Sequence, residues 1–168
     1  MHLELLRLEN LRNIAELELE LGPGLNLFVG ANGAGKTSIL EGAYLLSHAQ
    51  SFRSGQTDSL IRRGTDRFGV SARLQRPDGS LRIGLARDVD GWHARISGGP
   101  ASSLGAMLLE CAVVCFEPGS HALISGASAE RRRFLDWGVF HVEPDFLVRS
   151  RQYNRVLRQR NSAFRVTP

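Results

Sequence analysis

Lysine is almost absent from this chain: Lys36 is the only one, and every other basic residue among the 21 is an arginine. That scarcity excludes GTPases of the Ras type, which read guanine with an [NT]-K-x-D segment, because the single lysine lies in another motif. Cysteine is scarce too. Cys111 and Cys115 stand four apart in an apolar run, which fits neither a C-x-x-C metal or redox motif nor the disulfide framework of a small secreted domain, so buried thiols are expected. No apolar run approaches the ~20 residues of a membrane-spanning helix. Met1-His2-Leu3-Glu4 is not the basic start of a signal peptide, and a cytoplasmic protein with no membrane partner is expected. Internal repeats and low-complexity tracts are also missing. What remains, 168 residues with 42% hydrophobic and 23% charged content, has the make-up of a soluble globular protein of one domain, or one and part of a second.

The net charge of +4 is unevenly spread. Residues 1–128 carry 12 basic against 13 acidic side chains, whereas residues 129–168 carry 9 arginines against 4 acids. All the excess positive charge therefore lies in the last forty residues.

The stretch that organises the chain is Gly30-Ala31-Asn32-Gly33-Ala34-Gly35-Lys36-Thr37, which fits G-x-x-x-x-G-K-[ST] at every fixed position. With glycine near 7% of average usage, such a match arises by chance roughly once in tens of thousands of positions. Glycines allow the backbone to turn successive N–H groups inward as an anion nest, and a helix starting at about Lys36 adds the positive end of its dipole. Lys36 is expected at the β- and γ-phosphates of ATP and the Thr37 hydroxyl on Mg²⁺. Leu25 to Val29 reads as a buried strand entering the loop. Ser38 to Ser47, with Ile39, Leu40, Ala43, Tyr44 and Leu46 as its apolar face, reads as the helix leaving it.

Two strands are expected before the loop: Leu3 to Leu8, with imperfect alternation, and Ala15 to Leu21, in which Leu17, Leu19 and Leu21 oppose Glu16, Glu18 and Glu20. They are joined through Asn10-Leu11-Arg12-Asn13, and Gly22-Pro23-Gly24 forces a turn after them. Ala49 to Asp58 reads as a loop. Three alternating segments within 67–97, punctuated by Pro77-Asp78-Gly79 and Asp88-Val89-Asp90-Gly91, read as an antiparallel meander. A short helix over Ser102 to Glu110 precedes Ala112-Val113-Val114-Cys115-Phe116, whose β-branched run predicts a central parallel strand buried on both faces. Beyond Ser125-Gly126 the pattern becomes helical, with a first helix from Ser128 and a second from Glu143-Pro144-Asp145 that bears a stripe of Phe146, Tyr153, Val156, Leu157 and Phe164. The stripe reaches Val166-Thr167-Pro168 without a partner, the pattern of a longer chain.

A phosphate loop does not choose the task by itself. One reading is a compact P-loop kinase acting on a small molecule, with Ala112 to Phe116 and Glu117 as the Mg²⁺-holding strand and Arg131 to Arg133 as a lid. The strands ahead of the loop, the inserted meander and the lack of an aspartate after the apolar run argue against it.

The alternative rests on Leu11-Arg12-Asn13-Ile14, Pro23-Gly24-Leu25-Asn26, Val29 to Thr37 with Leu40-Glu41, Ser51-Phe52-Arg53, Arg131-Arg132-Arg133-Phe134-Leu135-Asp136-Trp137-Gly138, Phe140-His141, Glu143-Pro144, and Leu157 with Gln159-Arg160-Asn161. In these stretches the chain resembles the amino-terminal part of the RecF family of bacterial recombination and repair ATPases. The resemblance implies an α/β P-loop ABC-ATPase-type head, with lobe I over 1–118 including the meander and the start of a helical lobe II over 119–168. It implies ATP-dependent homodimerisation, binding of single-stranded and gapped or duplex DNA, and action with RecO and RecR in RecA loading, gap processing and SOS induction. By position it puts Arg12 and Asn13 near the nucleotide. Arg131, Arg132, Arg133, Arg149, Arg151 and Arg155 become candidate DNA contacts. The catalytic residues are not assigned, since the family's signature motif and Walker B acids lie beyond residue 168, so slow ATP hydrolysis belongs to the full-length dimer. Two departures from the family pattern are Gly119 after Pro118, where an acid is usual, and Gly126-Ala127-Ser128.

Overall fold

The computed structural model describes residues 1–53, 57–143 and 145–165. Pro144 and the terminal Val166 to Pro168 lie outside them, as do residues 54–56 of the expected loop over Ala49 to Asp58. The chain divides into two compact units, Met1–Cys115 and Phe116–Pro168.

The first unit is built on β1 (His2–Leu11), β2 (Ile14–Glu20), β3 (Phe68–Arg76), β4 (Gly79–Asp88), β5 (Gly91–Ile96) and the two-residue β6 (Gly99–Pro100), in the order β2-β1-β3-β4-β5-β6 with every neighbour antiparallel. The β3–β4–β5 meander follows its period-2 pattern: Phe68, Val70, Ala72 and Leu74 are buried, and Ile83 and Leu85 beside them. The broken alternation of the first strand has a physical cause. Its register against β3 shifts between Leu3 and Leu5, so that beyond this bulge Leu6 and Leu8 face the core.

One face of the sheet is covered by α1 (Lys36–His48) and the short α2 (Leu104–Leu108), the latter capped by Ser103 Oγ, which accepts from Ala106 N–H at 3.1 Å. Here the structure corrects one member of the expected apolar set, Leu40. The buried residues of α1 are Ser38, Glu41, Gly42, Leu45, Leu46 and Ser47, while Leu40 is half exposed. Leu46 is buried and Ile39 and Ala43 pack against the core as their spacing implied, and the polar Glu41 and bare Gly42 join them on the inward face. Both positions are inward for a reason. A methyl on Gly42 would collide with Leu8 Cδ2, so any larger residue there requires the buried Leu8 side chain or α1 to shift.

Leu25 to Val29 and Ala112 to Phe116 require a second correction, since neither forms a strand. Leu25, Leu27 and Val29 are 97%, 80% and 83% exposed, and Val114 and Phe116 are exposed as well. A parallel strand takes its ladder hydrogen bonds from both neighbours, and among the described residues no strand lies beside either segment.

The second unit holds α3 (Ala122–Ser125), α4 (Ser128–Val142) and α5 (Phe146–Arg165), preceded by a 3-10 turn at Pro118–His121. On α4, Phe134 stacks on Trp137, whose ring meets His141 edge-on, and burial lowers the His141 pKa below its usual value. The apolar stripe of α5 is mostly exposed, with Tyr153, Val156 and Phe164 between 62% and 75%. Among the described residues no helix is long and apolar enough to cross a membrane.

Two outcomes follow. Gly42→Val forces α1 off β1 and lowers the unfolding free energy by about 2 kcal/mol, read from urea denaturation. Burial raises the Cys111 thiol to about 11, so at pH 8 iodoacetamide labels Cys111 only after denaturation, as mass spectrometry of the native and unfolded protein would show.

Candidate functional site

The phosphate-loop sequence folds as a tight turn at the start of α1. Gly33 and Gly35 hold φ of +83° and +99°, conformations that an L side chain rarely adopts, and Gly35 is the N-cap of α1. The cap receives no side-chain hydrogen bond, and the first helical turn has no acid. The N–H groups of that turn and the positive end of the helix dipole are therefore left for an external anion.

Lys36 bends back over this loop. Its ammonium donates to the carbonyls of Gly30 at 2.7 Å and Ala31 at 2.8 Å. The Ala34 N–H donates to the same Ala31 carbonyl at 3.2 Å. The Lys36 ammonium and the Ala34 N–H thus converge on the Ala31 carbonyl, a backbone oxygen that a phosphate oxygen would outcompete as an acceptor. Thr37 is exposed at the first turn, beside Lys36. Among the described residues no group of three or more His, Cys, Asp or Glu side chains forms a metal-binding cluster.

The structure gives Arg12 and Asn13 distinct tasks. Asn13 reaches the loop, but through its framework: Nδ2 donates to the Gly33 carbonyl at 2.7 Å, and Oδ1 accepts from the Ser38 hydroxyl at 3.0 Å. Arg12 is held by Glu41 and Ser59. Nε and Nη2 donate to the two Glu41 oxygens at 2.9 and 2.7 Å, and Nη1 donates to Ser59. Each of the three guanidinium nitrogens thus has a partner on Glu41 or Ser59, and a place for Arg12 near the nucleotide remains what the family resemblance implies. The Glu41 carboxylate raises the Arg12 pKa above its ordinary value.

Glu41 is a residue that sequence reasoning missed. It is fully buried, and besides Arg12 it accepts from the Ser51 hydroxyl, with Arg53 Nη1 at 4.0 Å. Phe52 meets the Tyr44 ring edge-on. Ser51-Phe52-Arg53, for which the sequence offered no task, is thereby wrapped around the Glu41 and Tyr44 side of α1. The available signal was Glu41 itself, an acid three residues after Ser38 and four before Leu45, in phase with a buried face.

The arginines of the second unit fall into two groups. Arg131 donates to the Gly126 carbonyl at 2.9 Å, Arg133 pairs with Glu130 at 3.1 Å and Arg149 with Asp145 at 3.5 Å. Arg132, Arg151 and Arg155 are exposed, with no ion pair among the described residues.

Comparison with known proteins agrees with this geometry. Residues 5–47 match the model of the AAA domain family. The DNA replication and repair protein RecF of Stenotrophomonas maltophilia is 46% identical over 96% of this chain, and that of Cronobacter sakazakii is 40% identical over 98%. The chain spans 46% of the length of each. Among solved structures, the recombination mediator protein RecF-ATP of the RecFOR pathway superposes with a TM-score of 0.88 at 28% identity, covering 97% of this chain and 44% of that one. The SMC head domain of Thermotoga maritima, at 16% identity and a TM-score of 0.51 over 62% of this chain and 40% of that one, shares the fold. The fold is that of an ABC-ATPase head.

Removing one partner of a buried ion pair strands the other. Arg12→Ala is expected to lower unfolding stability by about 3 kcal/mol, with the double variant Arg12→Met, Glu41→Leu less affected than Arg12→Ala alone. Thermal and urea unfolding of the three proteins check both.

Proposed function

The chain belongs to the RecF family, and from that membership we propose that it is the ATP-binding part of an ATP-dependent DNA-binding protein of recombinational repair. The observation that carries the reading is the uncapped start of α1 behind Gly33 and Gly35, where Lys36 and Ala34 already direct their donors to one point. A triphosphate fits there: the glycine-rich turn would cradle the α- and β-phosphates, Lys36 would move from the Gly30 and Ala31 carbonyls to the β- and γ-phosphates, and Thr37 would ligate Mg²⁺. Bound Mg²⁺ would neutralise charge on the phosphate oxygens.

Binding is the part that these residues can perform. In the family reading two heads close on two ATP molecules, each nucleotide between one head's phosphate loop and its partner's signature motif, and closed dimers hold DNA until hydrolysis releases them. DNA, RecR and RecO are the proposed partners, the cytoplasm the proposed compartment, and gap repair, RecA loading and SOS induction the proposed setting. On the DNA side, Arg132, Arg151 and Arg155, exposed and with no ion pair among the described residues, support contact better than Arg131, Arg133 and Arg149, which would first leave internal partners.

Lys36→Ala in the full-length protein is expected to abolish ATP-dependent dimerisation, measured by light scattering; unchanged dimer formation would refute the phosphate-loop assignment. Sequence-independent DNA binding should weaken linearly in log affinity against log salt. Neutralising Arg151 and Arg155 should flatten the slope by up to about 0.9 per phosphate contact removed. A slope that does not respond would return these arginines to the solvated surface.

A further inference from the structure

We infer that Asn13 is a positioning residue of the nucleotide site: it aims the phosphate-binding N–H of Ala34 by holding the Gly33 carbonyl from behind, without touching the nucleotide. The inference rests on the reading of Gly30 to Thr37 as a nucleotide-binding loop and assigns a part of that site that lies outside the motif.

The argument starts from the peptide unit. Among the described residues every peptide bond is trans, so the Gly33 carbonyl and the Ala34 N–H, which share one plane, point in opposite directions. Asn13 Nδ2 fixes the carbonyl at 2.7 Å. The Ala34 N–H is consequently turned away from the β1–β2 turn and toward the loop interior, where it meets the Ala31 carbonyl together with Lys36. Glycine at 33 gives that peptide freedom to rotate, and the Asn13 hydrogen bond takes this freedom away before a ligand arrives. Preorganisation of this kind raises affinity because the ordering has been done in advance.

Asn13 is itself braced. Its Oδ1 accepts from Ser38, a buried residue of α1, and its backbone carbonyl accepts from Arg62 Nη1 at 2.8 Å. The turn that presents it has φ of +57° at Arg12, and Arg12 is in turn held by Glu41 on α1 and by Leu60, whose carbonyl accepts the Arg12 N–H at 2.7 Å. A side chain added at Gly35 would meet Ile14 and Asn13, so the far end of the loop rests on the same turn. The loop is pinned to the hairpin at Gly33 and packed on it at Gly35, with the nest between the two.

The test is nucleotide affinity in wild-type, Asn13→Ala, Asn13→Asp, Ser38→Ala and Lys36→Ala proteins, by calorimetry with ATP and with ADP, alongside melting curves without nucleotide. Asn13→Ala should weaken both nucleotides by about tenfold, the worth of one net hydrogen bond, because the α- and β-phosphates that the nest serves are common to both. Asn13→Asp keeps the acceptor for Ser38 but loses the donor to Gly33, so it should bind at least as weakly as the alanine variant. Ser38→Ala, which keeps the donor and loosens its brace, should fall between that variant and wild type, and covers the case in which a substitution at 13 impairs folding. Wild-type affinity in folded Asn13→Ala and Asn13→Asp, or a lowered melting point with unchanged affinity, overturns the assignment. Wild-type binding that Lys36→Ala removes and Asn13→Ala keeps overturns this proposal alone. No binding by the wild type refutes the nucleotide reading as well.

Discussion

The buried carboxylate of Glu41 is the interaction on which the first unit depends. A charge with no exposure to water is tolerated only where donors surround it, and here they come from two separate stretches: the β1–β2 turn through Arg12, and the segment after α1 through Ser51 with Arg53 beside it. Each stretch is thereby fixed against α1. The requirement to satisfy one acid therefore sets where the hairpin turn lies, and the turn in turn supports the phosphate loop. A hydrophobic pair could hold helix to hairpin equally well, but without the forked geometry that orients the turn.

The approach of α1 to β1 depends on the same requirement. Gly42 follows Glu41 and lets the helix settle on Leu8, with Leu45 and Leu46 buried behind it. An acid and a glycine on the inward face look like faults in an amphipathic helix. Together they allow the close seat and its alignment, and they put the N-terminus of α1 next to the turn that carries Asn13.

Local pattern carried much of this into the sequence. The phosphate-loop match, the strict alternation of β2 and the meander over β3 to β5 were readable because each depends on residues near in the chain, and the chain's resemblance to RecF proteins was readable from motifs well outside the loop. Pairing over long distances was not. Leu25 to Val29 and Ala112 to Phe116 have the composition of strands, yet a strand exists only beside a neighbour, and none lies there among the described residues. The partners of Arg12 were hidden for a similar reason: Glu41 and Ser59 lie 29 and 47 residues away, and nothing local announces a guanidinium that meets a buried acid.

The central claim is that the hairpin-braced loop at the start of α1 binds the phosphates of a nucleotide. Backbone amide shifts of the isotope-labelled protein, followed during titration with ATP and separately with adenosine, test it most directly. The account predicts that the amides of Gly33 to Thr37 move with ATP and stay in place with adenosine. Shifts of the same size with adenosine, or ATP-dependent shifts that leave Gly33 to Thr37 untouched, would contradict it.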